Sequence, residues 1–438
     1  KKKPIGDLKN LFQSADFFCK IKLPHLNLQK EGDPMLKDLF LTSNLPHILQ
    51  NIQPFFSPAH FLHLIKSFNA FLLCADYQKA FVSFACPQCG LTHKFPITCK
   101  TRLCPTCGYK YSKVWAQKIT NELLNVPHRH LLFTIPKECR PFFCLDRSLL
   151  HKLTLGIKQI FDYQFQNTHK KRKRKKKIGK YSKNYFTESD IVHYGLITVI
   201  HTFGRDLKWN PHVHALISLG GFNKRFVWKK LDYFHVDVIA NQWKFIVLQL
   251  IQSGNYQDPI WKEKAKQVAN KLYKENARLF FSVGRQEVNS AEGLLKYLGR
   301  YLARAPIADY KIVNVTEKEV TFFFHDLANH KKKTYITMSR EKFIQQVLIH
   351  LPPKHFKMIS RFGFYARRKS DTLKIHMAFL QKKKKKNPFS FYVNSMLENF
   401  QIHPFLCPNC HIPMRKKELY ITVRWYGRKI HISYLSKT

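Results

Sequence analysis

Two patterns in this sequence have the residue types and spacing for chemistry at phosphorus. In "LLKYLGRYLAR", residues 294–304, Tyr297 and Tyr301 lie four apart in a segment of helical periodicity, so both phenols reach neighbouring turns of one face. They either pack against Leu294, Leu298 and Leu302 or act as oxygen nucleophiles, with Lys296, Arg300 and Arg304 beside them to contact a phosphate backbone. In "WNPHVHALISLGG", a Pro-marked start and a Gly-Gly exit frame a short strand. On it His212 and His214 share one face and Val213 enters the core. The two imidazoles are either satisfied polar side chains or ligands to one divalent ion. A second such triplet, His128 and His130 in "HRHLLFTIP", has charged Arg129 at its centre and reads as a decoy or a secondary DNA contact.

The cysteines suggest a metal of a different kind. "CPQCGLTHKFPITCKTRLCPTCG" supplies Cys86, Cys89, Cys104 and Cys107 as two C-x-x-C pairs, and two pairs complete the tetrahedral sulfur shell that zinc prefers. Cys99 reads as an ordinary core thiol and His93 as a substitute ligand. Cys407 and Cys410 in "CPNC" form a further knuckle that offers only half a shell. The clustering favours a closed structural zinc site over a disulfide framework, and a reducing compartment.

A formal charge of +47, from 75 Lys plus Arg against 28 Asp plus Glu, calls for a polyanionic partner, because a positive surface attracts phosphates and releases their counterions. No apolar run reaches the roughly 18 residues of a membrane span, no phosphate-loop fingerprint occurs, and the start reads as no signal peptide.

These residues need elements to position them. Residues 1–80 read as a helical N-terminal region with a helix near 58–75, and 81–115 as a zinc-binding module. Residues 128–136 read as a strand, 193–206 as a helix, 260–277 as a helix, 278–285 as a strand and 291–303 as a helix. Two or three strands and a helix follow Pro306. "KKRKRKKKIGK" within 168–182 has no apolar face and reads as an exposed basic insertion in a domain spanning 125–370, and 387–438 as a small C-terminal cysteine-containing region.

Taken in order, the paired cysteines, "HTFGRDLKWNPHVHALISLGG" and "KYLGRYLARAPIA" resemble the two-tyrosine rolling-circle insertion-sequence transposases of the HUH endonuclease superfamily over about residues 81–370. The resemblance implies an α+β fold: a core with a central antiparallel sheet and packed helices, beside the zinc module and helical N-terminus. It assigns metal binding to His212 and His214 and the nucleophiles to Tyr297 and Tyr301. It further implies cleavage and rejoining of single-stranded DNA at transposon ends through a 5′-phosphotyrosine, with Mg2+ or Mn2+ at the catalytic site and Zn2+ at the structural one. For a third metal ligand the sequence offers Glu287, ahead of Gln286, Glu292 and Asp206. A cytoplasmic, nucleoid-associated location follows. Competing readings are an inactive zinc-dependent DNA-binding descendant, a plasmid or phage replication initiator using the same nicking step, and, more weakly, an RNA-binding protein. Oligomeric state is left open.

Overall fold

The structure, a computed structural model, describes residues 36–41, 45–78, 80–124, 126–177, 193–223, 225–231, 234–275, 281–283, 305–326, 329–366, 393, 403, 405–425 and 428–435. Helices α1 (Leu36–Leu41), α2 (Leu45–Ile52) and α3 (Pro58–Leu72) lead to strands β1 (Ala80–Ala85) and β2 (Thr92–Pro96) and helix α4 (Pro105–Glu122). Next come β3 (His128–Thr134), α5 (Arg140–Leu145), α6 (Ser148–Lys177), β4 (His193–Phe203), β5 (Trp209–Phe222) and β6 (Trp228–Lys230). Then follow α7 (Val236–Gln252), α8 (Ile260–Lys274), β7 (Phe281–Val283), β8 (Ile312–Val315), β9 (Glu319–Asp326) and β10 (Lys332–Ser339). Helix α9 (Arg340–Leu348) and strands β11 (Ile359–Gly363), β12 (Arg415–Trp425) and β13 (Arg428–Leu435) complete the order.

The fold is α+β, and every strand pairing among the described residues is antiparallel. The central sheet runs β11-β4-β5-β3-β7, with β6 on β5. Strand alternation gives its two faces different work. Leu131, Phe133, Leu196, Ile200, Val213, Ala215 and Ile217 bury one face against α6, α7 and α8. Helix α6 answers with Leu149, Leu153, Ile157, Ile160 and Phe161 at three- and four-residue intervals, all at most 1% exposed. Gly156 sets its distance from α7, since a Cβ there would lie 2.6 Å from Ile246 Cγ2. The opposite face places Ile197, Val199 and Leu216 against Trp115, Leu124, Phe364 and Tyr365. It is also the face that carries the histidines.

Two expected elements change. Residues 193–203 form strand β4 rather than a helix. The run "HYGLITVIHTF" is rich in β-branched residues, lies between β11 and β5, and is buried along most of its length, so its apolar positions serve both faces of the sheet. The basic run begins as helix: α6 continues unbroken to Lys177. Lysine and arginine are good helix formers, and extending a helix already nucleated by packing costs little.

Shared cores join segments that are distant in the sequence. Helices α1 to α3 bury Leu36, Leu39, Phe40, Leu64 and Phe68 with Phe322, Phe343, Ile344 and Val347 of β9 and α9, beside the three-stranded sheet β10-β9-β8. Asn51 donates to Glu341 Oε1 at 2.6 Å, and Arg340 Nη2 to the Leu39 carbonyl at 3.2 Å. The C-terminal strands pair with the N-terminal ones: the second sheet runs β13-β12-β1-β2, with Ala80 opposite Ile421 and Ala85 opposite Arg415. Among the described residues no helix is long and apolar enough to cross a membrane.

Buried histidines make this fold acid-sensitive. Burial holds His60, His128 and His350 down at about 4. An unfolded imidazole titrates near 6.5, so between these values the unfolded chain binds more protons; the stability is full above about 6.5 and is lost as pH falls toward 4. Each residue should remove about 2 kcal/mol by pH 5. The unfolding temperature is therefore expected to fall steeply between pH 7 and pH 5, and a flat melting profile across that window would contradict this account.

Candidate functional site

The histidine site is built on a hairpin. β4 and β5 pair with His201 directly opposite His212 and with His214 opposite Val199. The connecting turn is fixed by Gly204 N–H donating to the Lys208 carbonyl at 2.9 Å and by Asp206, whose carboxylate accepts from Lys208 N–H. Asp206 also pairs with Lys208 Nζ at 3.0 Å, so this candidate ligand is a turn residue. Below the turn, buried His350 binds Thr202 Oγ1 at 3.2 Å and the Leu207 carbonyl at 2.8 Å and stacks on Trp209, locking the two strand ends together.

The result is three imidazoles, His201, His212 and His214, with one nitrogen from each within 4.8 Å of the others. His201 is the member that motif reading missed. His212 donates from Nδ1 to the Asn210 carbonyl at 2.7 Å, which leaves the lone pair of the neutral ring on Nε2. His214 Nδ1 lies 3.0 Å from His130 Nε2, and the two rings stack at 5.2 Å. Burial, and then the neighbouring histidines, push His214 far below the ordinary imidazole range. Burial also lowers His212, with Arg140 adding to the effect. Neutral, inward-facing imidazoles are the protonation state that a metal requires.

The "HRH" triplet is thereby reassigned. His130 orients a site histidine, and His128 is buried with its Nε2 2.7 Å from the Tyr365 hydroxyl, so neither is a surface DNA contact. Glu287, Lys296, Tyr297, Arg300, Tyr301 and Arg304 lie outside the described residues. The chain enters that segment from β7, where Ser282 faces Leu132, which in turn faces His214. Two strand spacings, about 10 Å, separate those ends of the row.

The cysteines fall into two groups, but not as their sequence spacing suggests. Cys104 and Cys107, at the start of α4, join Cys74 and Cys99, whereas Cys86 and Cys89 join Cys407 and Cys410. The first group spans three elements, since Cys74 follows α3 and Cys99 follows β2. Cys99 is therefore a member of the cluster rather than an ordinary core thiol, and His93 sits on β2 opposite Phe84. Sulfur–sulfur distances of 3.7 Å for Cys74–Cys104, Cys74–Cys107 and Cys99–Cys107 are far too long for disulfides. They match the edge, about 3.8 Å, of a tetrahedron with Zn–S bonds of about 2.3 Å. The backbone N–H groups of Cys99, Thr101 and Cys107 approach the Cys74, Cys99 and Cys104 sulfurs at 3.3–3.5 Å, which favours thiolates.

A family model described as "Putative transposase" matches residues 195–372, and another described as "Transposase zinc-binding domain" matches residues 49–135. The first span holds all three site histidines; the second holds Cys74 through Cys107. A curated relative, "Transposase for insertion sequence element IS801" of Pseudomonas savastanoi pv. phaseolicola, is 27% identical over 327 residues, covering 72% of this chain and 73% of the relative. By these matches the chain is similar to insertion-sequence transposases across its zinc-binding and histidine-bearing segments. It is also similar to "Putative transposase y4qJ" of Sinorhizobium fredii, at 23% identity over 295 residues, covering 65% of this chain and 70% of the relative. No solved structure matches it.

Proposed function

We propose that this transposase cleaves and rejoins single-stranded DNA at transposon ends through a 5′-phosphotyrosine, with Tyr297 and Tyr301 as nucleophiles, in a rolling-circle-like transposition. The observation carrying this reading is the three-histidine cluster on β4 and β5, with His201 and His214 buried and His212 half-buried, and the place of the tyrosine segment in the sequence after β7, on the same sheet, supports it. His201, His212 and His214 would hold a divalent cation, with His130 fixing Nδ1 of His214 and assigning its Nε2 to the ion. Three nitrogen donors suit Mn2+ better than Mg2+, which prefers an all-oxygen shell. When bound, the cation polarises a nonbridging phosphate oxygen and offsets charge on the departing 3′ oxygen.

The chain's own residues supply the rest. A phenolic oxygen of Tyr297 or Tyr301 bonds to phosphorus, the P–O3′ bond breaks, and the phenolic proton leaves to solvent as the 3′ oxygen becomes a hydroxyl. A later 3′ hydroxyl reverses the exchange, so rejoining needs no ATP. Lys296, Arg300 and Arg304 would hold the strand by its phosphates, while the excess positive charge draws DNA to the surface. Such a protein would work in the cytoplasm, at the nucleoid.

The test uses labelled single-stranded end DNA with Mn2+ or Mg2+ and isolates the covalent adduct. Peptide mapping should place the linkage on Tyr297 or Tyr301, and the double Tyr→Phe variant should form no adduct while still binding DNA. An adduct mapped to another residue, or formed at full rate by that variant, overturns the assignment.

A further inference from the structure

The second cysteine group stands apart from the cleavage chemistry, and half of it lies beyond the matched zinc-binding segment, which ends at residue 135. "CPQCGL" and "CPNCHI" fold into the same knuckle. In the first, Cys86 N–H donates to the Leu91 carbonyl at 2.9 Å and Gly90 N–H to the Cys86 carbonyl at 3.0 Å. In the second, Cys407 N–H donates to the Ile412 carbonyl at 2.9 Å and His411 N–H to the Cys407 carbonyl at 2.8 Å. The equivalent fifth positions, Gly90 and His411, both take the left-handed conformation, with φ of 72° and 55°. Each knuckle turns two sulfurs toward the other, and Cys89 Sγ lies 3.5 Å from Cys407 Sγ.

Apolar packing and strand pairing hold the halves in this register. Val82, Phe84, Met414 and Leu419 form a small core around Cys86 and Cys407. β1 pairs with residues 415–421 of β12, and Phe81 stacks on Tyr420 at 5.1 Å. This core is too small to hold a sheet by itself, so such modules usually need a metal or disulfide clasp. At 3.5 Å the sulfurs are unbonded to each other, and four thiolates so close would repel without a cation among them.

We propose that Cys86, Cys89, Cys407 and Cys410 bind a second structural zinc ion, or a comparably thiophilic divalent cation, at a composite site that clasps the C-terminal hairpin β12–β13 to the hairpin β1–β2. The zinc-binding module is then a four-stranded ribbon whose halves come from widely separated parts of the chain. An N-terminal fragment alone leaves it with two of its four ligands. This assignment is independent of the DNA reaction and holds whether or not the tyrosines are nucleophiles.

The experiment counts zinc in the full-length chain by native mass spectrometry and maps cysteine protection by alkylation. The Cys86→Ser/Cys89→Ser pair and the Cys407→Ser/Cys410→Ser pair should each lose one zinc equivalent, and the quadruple variant should lose that same single equivalent. In the unmutated chain all four thiols should resist alkylation together and become reactive together as chelator removes that equivalent. Free alkylation of Cys407 and Cys410 while Cys86 and Cys89 stay protected would overturn the composite site. So would loss of two equivalents in the quadruple variant, or of none in either pair. The alkylation measurement needs no substitution, so the proposal is tested even where a variant fails to fold.

Discussion

His201→Ala is expected to lower the rate of covalent adduct formation by at least about 100-fold while changing single-stranded DNA affinity by no more than about two-fold. The ring faces His212 across the β4–β5 ladder, 5.4 Å between centroids, and lies 4.7 Å from His214. Removing it leaves two imidazoles, too few for a tight and oriented site. The loss should show as cation dependence: more Mn2+ should partly restore His201→Ala, whereas the tyrosine variants should stay inactive at any Mn2+ concentration. That contrast separates a ligand from a residue that merely holds the hairpin. Cleavage at the unmutated rate in His201→Ala would mean that His212 and His214 find their third partner elsewhere, with Glu287 the first alternative to test.

His201 also shows where sequence reading stops. The H-x-H strand was legible because alternation is local and Val213 declares the core face, although β5 runs past both Pro211 and the Gly-Gly pair that were expected to frame it. α3, β3, α8 and the strand–helix order after Pro306 were legible for similar reasons. But His201 is brought to the site by pairing. An apolar run read as a helix hides the fact that Gly204–Lys208 is a hairpin turn, and only that turn puts His201 opposite His212. His130 reads as a decoy because Arg129 breaks the expected in–out pattern, although β3 is a strand lying next to β5. The cysteines were visible as ligands, yet nearness along the chain favoured joining Cys86 and Cys89 to Cys104 and Cys107. Strand pairing instead delivers Cys407 and Cys410, and the end of α3 delivers Cys74. The one available signal was that eleven cysteines, two of them an isolated C-x-x-C pair, leave ligands over after one site is filled.

Cys74→Ser should therefore be the most damaging single substitution to the N-terminal half, although Cys74 belongs to no C-x-x-C motif. Its sulfur is 3.7 Å from both Cys104 and Cys107 and accepts from Cys99 N–H at 3.3 Å, so it ties α3 to the β2–α4 connection. The next residue extends the tie, with Ala75 N–H donating to the Ile97 carbonyl at 2.9 Å. Around the cluster, Phe68, Phe71 and Leu103 are buried in the same core as Phe322 and Phe343, so losing the clasp loosens packing well beyond it. A serine hydroxyl is a poor zinc ligand and leaves three buried sulfurs without their closing partner. The cost should be roughly 4 kcal/mol or more, within the large range for losing a structural metal. At about 2–4 °C per kcal/mol, the unfolding midpoint should fall by about 10 °C. The variant should also lose one zinc equivalent, and it should be the equivalent held by Cys104 and Cys107, leaving Cys407 and Cys410 protected from alkylation. Cys144→Ser, outside both clusters, should keep every equivalent. Calorimetry and zinc counting on the same samples decide the matter: an unchanged midpoint with full zinc content would remove Cys74 from the metal site and restore the simpler arrangement within residues 86–107.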